Sequence, residues 1–323
     1  MKAIQYNKYG GPEVIEINLS AQRPVPVKGQ VLVEVHAASL NPFDWKLRTG
    51  YMKEMIPLKF PFTMGGDFSG VVIQLGDGVY DFKIGDKVYG QALVLNGGSG
   101  AFAQFAASNA ANTSLMPKSV SFLQAAALPL VGGSAIQALE EHIKLKRDPT
   151  SAKASAGKQK ILIHGGAGGI GHIAVQLAKH LGAHVAATAS GDSVKLVKKL
   201  GADEAIDYKT QKFEEILHDF DAVFDTVGGE ITDRSFKVLK RSGIIVSMLG
   251  APNPALAKQY GVTAIGQNTR VDNKILARLT EFVEQGAIEA QVDKVFPLEQ
   301  VREAFEYLEN SHPRGKVVVK IKE

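Results

Sequence analysis

The 323-residue chain has no cysteine. Disulfides and every thiolate metal site are excluded at once. Long apolar runs are also missing, and no stretch approaches the roughly 20 residues that a membrane-spanning helix needs. The opening Met1-Lys2-Ala3-Ile4-Gln5-Tyr6 reads as a strand and not as a signal peptide, so the expectation is a cytoplasmic protein with no membrane partner. Clustered charge of one sign is absent too. The net charge is +4, but lysines are spread along the chain with acids between them, which argues against a nucleic-acid groove. An anionic cofactor accounts for that charge adequately. With 45% hydrophobic and 22% charged residues, the composition is that of an ordinary globular protein, and the length suits two domains.

What is present centres on Lys160-Ile161-Leu162-Ile163-His164-Gly165-Gly166-Ala167-Gly168-Gly169-Ile170-Gly171, an apolar strand followed by a glycine-dense turn and a helix through His180. Counted from Gly166, the turn fits G-x-G-x-x-G. In that pattern one glycine allows the tight turn, one lets backbone approach a pyrophosphate, and one lets helix pack on strand. Helix N-terminal amides and the macrodipole then attract the phosphates. Gly182 ends the helix, and His184 to Ala189 supplies a second buried strand, completing a βαβ unit.

At the end of that second strand stand Thr188, Ala189 and Ser190, where a cofactor lacking a 2′-phosphate would usually meet an acid. A hydroxyl with Lys195 nearby favours NADP(H). Ser190 could equally cap the next helix, and Asp192 could serve NAD instead.

The first third is strand-rich, as in Val31 to His36, Gly70 to Leu75 and Gly85 to Gly90, and reads as a compact β domain. Helical character begins near Phe122 and continues to about Leu145, broken at Pro129 and at Gly132-Gly133. Strands at Lys160 to His164, His184 to Ala189, Ala205 to Tyr208, Ala222 to Asp225 and Gly243 to Ser247 then alternate with helices. This alternation gives the fold class as α/β, a Rossmann doubly wound parallel sheet plus a β-rich domain. Helices from Asn273 through Gln285 and around Leu298 to Leu308 precede a last strand, Lys316 to Ile321, expected to rejoin the N-terminal domain. The domains are expected at 1–124, 125–265 and, as a return segment, 266–323. The Ser-, Ala- and Lys-rich segment Arg147 to Ala156 is expected to be a surface loop and is assigned no function.

Five segments in order, Met64-Gly65-Gly66-Asp67-Phe68-Ser69-Gly70, Leu128 to Ala135, Ile163 to Gly171, Asp225-Thr226-Val227-Gly228-Gly229 and Arg314-Gly315-Lys316-Val317-Val318, resemble the zinc-free quinone oxidoreductase branch of the medium-chain dehydrogenase/reductase superfamily. The resemblance implies a GroES-like catalytic domain, a Rossmann cofactor domain, an active cleft between them, and a homodimer through the edge of the Rossmann sheet. Zinc-dependent relatives carry a metal-binding Cys in the stretch matching Ser39 to Asp44 and a metal-binding His before the acid of Gly65-Gly66-Asp67. Here Asn41 and Gly66 stand there, so the three-ligand open zinc site cannot form.

The implied activity is NADPH-dependent hydride transfer to a quinone or an α,β-unsaturated carbonyl, with no metal. An enoyl-thioester reductase and a non-catalytic nucleotide- or RNA-binding protein of the same fold remain the alternatives. By resemblance, Asn41 and Asp44 lie beside the nicotinamide, with Trp45 and Tyr51 able to shape the acceptor pocket. To the turn Gly166, Ala167, Gly168, Gly169, Ile170 and Gly171 and to Ser190 and Lys195, read above from the pattern, the resemblance adds Ser134, Tyr208, Val227 and Gly250 as cofactor residues.

Plainer roles are open to several of these. Asn41 suits a turn before Pro42, Asp44 suits a helix cap, and Asp67 suits a buried structural hydrogen bond. His164 is expected to contact backbone, and His36, His142 and His172 have no metal-like spacing. Phe102 and Phe105 are expected in the core.

Overall fold

The computed structural model describes residues 1–145 and 158–322, so the surface loop expected at 147–156 lies outside the described residues. The chain divides into two compact units, one of Met1–Leu130, Val271–Glu284 and Ala290–Glu323, the other of Val131–Arg270 and Gln285–Glu289.

The second unit is built on a six-stranded sheet in the order Glu204–Asp207, His184–Ala189, Lys160–Ile163, Phe220–Asp225, Leu239–Ser247, Thr263–Gly266. Every pairing in it is parallel. In chain order the strands run third, second, first, fourth, fifth, sixth, which is the doubly wound arrangement. Ile161, Leu162, Ile163, Val185, Ala186, Val223 and Phe224 are fully buried, as expected when helices cover both faces of a parallel sheet. The helix Gly171–His180 ends in a Schellman motif: Ala183 N–H donates to Ala178 O at 3.1 Å and Gly182 N–H to Lys179 O at 3.0 Å, with Gly182 at φ 91°.

Two local expectations change. Gly132 and Gly133 do not break the chain; they lie inside the helix Pro129–Ile136, which runs on into a π-helical turn Gln137–His142. Both glycines are buried there, and packing outweighs the roughly 1 kcal/mol that each costs a helix. The sixth strand, Thr263–Gly266, carries one large apolar residue in four and leaves no alternating pattern to read.

In the first unit the main sheet runs Val292–Pro297, Lys316–Lys320, Gln30–Ser39, Asp67–Leu75, Lys87–Gln91, Thr113–Leu115, with Phe105–Asn109 also paired to Gln30–Ser39. The C-terminal strand joins antiparallel to the N-terminal one, Val318 opposite Ser39 and Lys320 opposite Ala37. A three-stranded sheet, Glu16–Asn18, Ala3–Tyr6, Phe62–Thr63, lies in the same unit. Phe68, Phe102 and Phe305 are fully buried in its core, whereas Phe105 is only partly buried and carries the Arg23 guanidinium 4.3 Å over its ring. Among the described residues no helix is long and apolar enough to cross a membrane.

Candidate cofactor turn and buried polar cluster

The glycine turn divides its work among more residues than the fingerprint names. Gly165, which precedes the counted pattern, has the left-handed φ of 66° that makes the turn. A Cβ on Gly166 would lie 2.9 Å from the Ala187 side chain, and one on Gly171 would lie 2.1 Å from Gly165 O. Those two glycines are therefore packing positions. Gly168 is different, since its Cβ would meet only Gly165 O at 3.3 Å, so this face of the turn is open. The amides of Gly169, Ile170 and Gly171 donate to no carbonyl among the described residues. Unpaired amides at the start of a ten-residue helix suit a phosphate.

Below the turn, His164 is fully buried, and it bonds hydroxyls with its ring instead of the backbone contact expected. Ser235 spends its hydrogen on Ile231 O at 2.7 Å, so His164 Nε2–H must donate to Ser235 Oγ at 2.9 Å. Nδ1 then accepts from Thr188 Oγ1 at 3.1 Å, and Thr188 Oγ1 accepts Gly165 N–H at 3.2 Å. This chain ties the turn to the end of the second strand. Burial pushes the His164 pKa down to about 4, and the imidazole is neutral.

The unfolded chain binds a proton on this histidine below its usual pKa of 6.5, and the folded one does not until about 4. Its contribution is complete above pH 6.5 and is lost as pH falls toward 4. A His164→Asn variant is expected to escape about 2 kcal/mol of the stability that wild type loses between pH 7 and pH 5. Urea midpoints at the two pH values read this directly; equal losses would contradict it.

The other proposed cofactor residues cluster at the carboxyl ends of the strands in this unit. Ser190 Oγ donates to Tyr208 Oη at 3.1 Å, and it is Asp192, not Ser190, that occupies the N-cap position of helix Ser193–Lys199. Lys195 lies within that helix. Val227 is half exposed, and its N–H donates to the buried Asp225 carboxylate at 2.8 Å. Gly250 has φ 113° with open space where a Cβ would be, so only glycine fits comfortably and the region above it is clear. Ser134 is buried, and its Oγ shares a 2.7 Å hydrogen bond with Thr269 Oγ1. Gln267 Nε2 donates to Ser134 O at 3.0 Å, while Gln267 Oε1 is buried with no partner among the described residues.

In the first unit, sheet register collects a second polar cluster. Ser39 stands opposite Asp67, and Asp67 opposite Gln91, so three polar side chains from adjacent strands form one row. Asp67 is fully buried and accepts from Gln91 Nε2 at 2.7 Å, Asn41 Nδ2 at 2.9 Å, Leu130 N–H at 3.3 Å and Ser39 Oγ at 3.4 Å. Asn41 is the N-cap residue of helix Pro42–Arg48. Its N–H donates to Asp44 Oδ2 at 2.7 Å, and Asp44 N–H to Asn41 O at 3.0 Å. Asp44 does cap this helix, as the plainer reading of it held. It also lines an apolar pocket with Tyr6, Leu47, Phe62, Met64, Leu93 and others, and Tyr6 Oη there has no partner among the described residues.

Sequence reasoning missed Gln91 and, with larger consequence, the cation of this cluster. Lys316 is 3% exposed, and its Nζ donates to Leu40 O at 2.7 Å and to Asn41 Oδ1. Burial pushes Asp67 up and Lys316 down, while their mutual attraction opposes both shifts. With three N–H donors aimed at it, Asp67 is the ionised partner of an ammonium. Burial, and then the Asp67 charge, raise the Asp44 pKa to about 7. Nothing in a strand beginning Lys316-Val317-Val318-Val319 announces a buried cation, since a lysine at a strand end is ordinarily solvated.

Tyr51 is not brought to the cluster. It is 78% exposed on the turn after helix Pro42–Arg48, while Trp45 is half-buried against the core of its unit. Among the described residues no three His, Asp or Glu side chains gather as a metal site requires.

Comparisons with known proteins give the family. Residues 27–118 match the alcohol dehydrogenase GroES-like domain, and residues 200–319 the zinc-binding dehydrogenase family. The chain is 39% identical to the chloroplastic NADPH-dependent alkenal/one oxidoreductase of Arabidopsis thaliana, over 99% of this chain and 79% of that protein. Among solved structures, the quinone oxidoreductase from Coxiella burnetii aligns with TM-score 0.87 and 35% identity, covering 100% of this chain and 99% of that one. The Escherichia coli quinone oxidoreductase complexed with NADPH aligns with TM-score 0.85 and 27% identity, covering 99% and 100% respectively. The chain belongs to the quinone oxidoreductase branch of the medium-chain dehydrogenase/reductase superfamily.

Proposed function

We propose that this protein is an NADPH-dependent reductase of quinones or α,β-unsaturated carbonyls that works without zinc. The observation that carries the reading is the turn at Gly165 to Gly171, with three unpaired amides at a helix start, in a chain 39% identical to an alkenal/one reductase. The residues fit the cofactor: the open faces at Gly168 and Gly250 leave room, and the unpaired amides supply donors. NADPH held there supplies a hydride from C4 of its nicotinamide. The chain's own part is to orient the two reactants and to stabilise charge on the acceptor oxygen. Such acceptors are already electrophilic. Asn41 and Asp44 are the residues we assign to that task, and Tyr51, which lies exposed outside their cluster, we assign to shaping the acceptor's approach.

Zinc is left out because the donors are wrong. Asn41 and Gly66 stand where relatives use Cys and His, and the chain has no thiol. The paired hydroxyls of Ser190 and Tyr208, with Lys195 on the following helix, support the 2′-phosphate of NADPH. We further assign a homodimer joined along the edge strand Thr263–Gly266 of the parallel sheet, which analytical sedimentation tests.

The deciding experiment follows NADPH absorbance with 9,10-phenanthrenequinone, a small enone and a crotonyl thioester in parallel. Turnover of the first two supports the reading. Turnover of the thioester alone, or binding of NADPH with no turnover, refutes it. Ser190→Asp is expected to raise the Kd for NADPH by about tenfold or more while sparing NADH, through repulsion of the 2′-phosphate. Unchanged cofactor preference would show that Ser190 does not face that group.

A further inference from the structure

The buried cluster of the first unit is larger than a helix cap requires, and its cation has no part in the reading so far. We propose that Lys316 is a positioning residue, whose ammonium locks the Asn41 side-chain amide so that its second N–H is presented to the carbonyl oxygen of the acceptor. This rests on the assignment of the chain as a quinone or enone reductase.

The orientation of the amide follows from chemistry. Lys316 can only donate, so the atom it touches is Asn41 Oδ1, and ionised Asp67 can only accept, so the atom 2.9 Å from it is Nδ2. One Nδ2 hydrogen is thereby used, and the other has no acceptor among the described residues. Both bonds are buried, with Asn41 and Lys316 each 3% exposed, so water competes for neither.

Charge gives the second reason. Hydride addition at an enone β carbon moves the C=C pair toward the carbonyl and its π pair onto oxygen; water then protonates the enolate, and NADPH leaves as NADP⁺. A fully buried carboxylate at Asp67 beside that oxygen would oppose the step. Lys316 offsets it. The other titratable groups facing the cluster are Asp44, whose carboxyl bonds Asn41 N–H, and, beyond Asp44, Tyr6.

Single removal of Lys316 strands Asp67, so the informative variant is the neutral pair Asp67→Asn with Lys316→Met. It is expected to bind NADPH with unchanged Kd, while kcat with phenanthrenequinone falls about tenfold or more and KM moves less than about threefold. A merely structural pair would give wild-type kcat once the protein folds, and that result overturns the proposal. A second readout needs neither turnover nor the variant. With ¹⁵N-asparagine labelling, the Asn41 side-chain protons of the wild-type protein should be well separated and slow to exchange with solvent. Rapid exchange, or signals unchanged in the neutral pair, overturns the lock. Wild-type protein inert toward every acceptor sinks the reductase assignment, while the Asn41 signals still judge the lock.

Discussion

Gly171→Ala is expected to cost the protein nearly all of its NADPH affinity, by about a hundredfold or more. The added Cβ would stand 2.1 Å from Gly165 O and 2.8 Å from Gly166 Cα, and all the atoms it meets are backbone. No side chain can swing aside. The helix start must therefore move off the turn, which scatters the amides of Gly169 to Gly171 and adds about 1–3 kcal/mol of overpacking strain. Gly168→Ala separates the two effects. Its Cβ meets only Gly165 O at 3.3 Å, so stability should stay near wild type while NADPH affinity falls because a methyl occupies the open face. Thermal melts and fluorescence titration with NADPH read both quantities. Similar melting and similar binding for the two variants would contradict this division of roles.

The second large effect is on stability. Asp67→Ala removes the acceptor for Asn41 Nδ2, Gln91 Nε2 and Leu130 N–H, and leaves the Lys316 ammonium buried without its counter-charge. Asp67 and Lys316 do not touch but share Asn41, and stranding one buried charge in this way is expected to cost about 3–5 kcal/mol, well above the cost of removing both charges together. Burial already lowers the Lys316 pKa, and loss of Asp67 lowers it further. The variant must then fold with a neutral lysine that the unfolded chain would protonate, so stability rises with pH toward the lysine's ordinary value near ~10.4. Urea unfolding of Asp67→Ala should show the defect shrinking from pH 6 to pH 9. A defect independent of pH would mean that lost hydrogen bonds, and not the stranded charge, dominate.

Much of this architecture was legible because strand and helix periods are local. The run Lys160 to Ile163, the glycines after it and the second strand to Ala189 each carry their signal within a few residues, so the doubly wound sheet could be read directly. The strands Thr263–Gly266 and Val292–Pro297 could not, because each is partly exposed and pairs with a neighbour on one side only, so neither carries a continuous buried run. Gly132 and Gly133 misled for the same reason: their cost is local, but the packing that overrides it is not.

The candidate site divides along this line. The chain's own residues determined that no thiolate metal centre forms, that a glycine-dense turn follows an apolar strand at Gly166 to Gly171, and that Asn41 and Gly66, not Cys and His, stand at the positions the resemblance compares. Only the tertiary structure decided that Gly165 makes the turn, that Ser190 pairs with Tyr208 while Asp192 begins the next helix, and that Lys316 lies bonded to Asn41 although 275 residues separate them. A buried cation stabilises nothing until strands from both ends of the chain are in register around it. Local sequence holds no trace of that register, because Coulomb attraction and hydrogen bonding act on distance in space, which the fold alone sets.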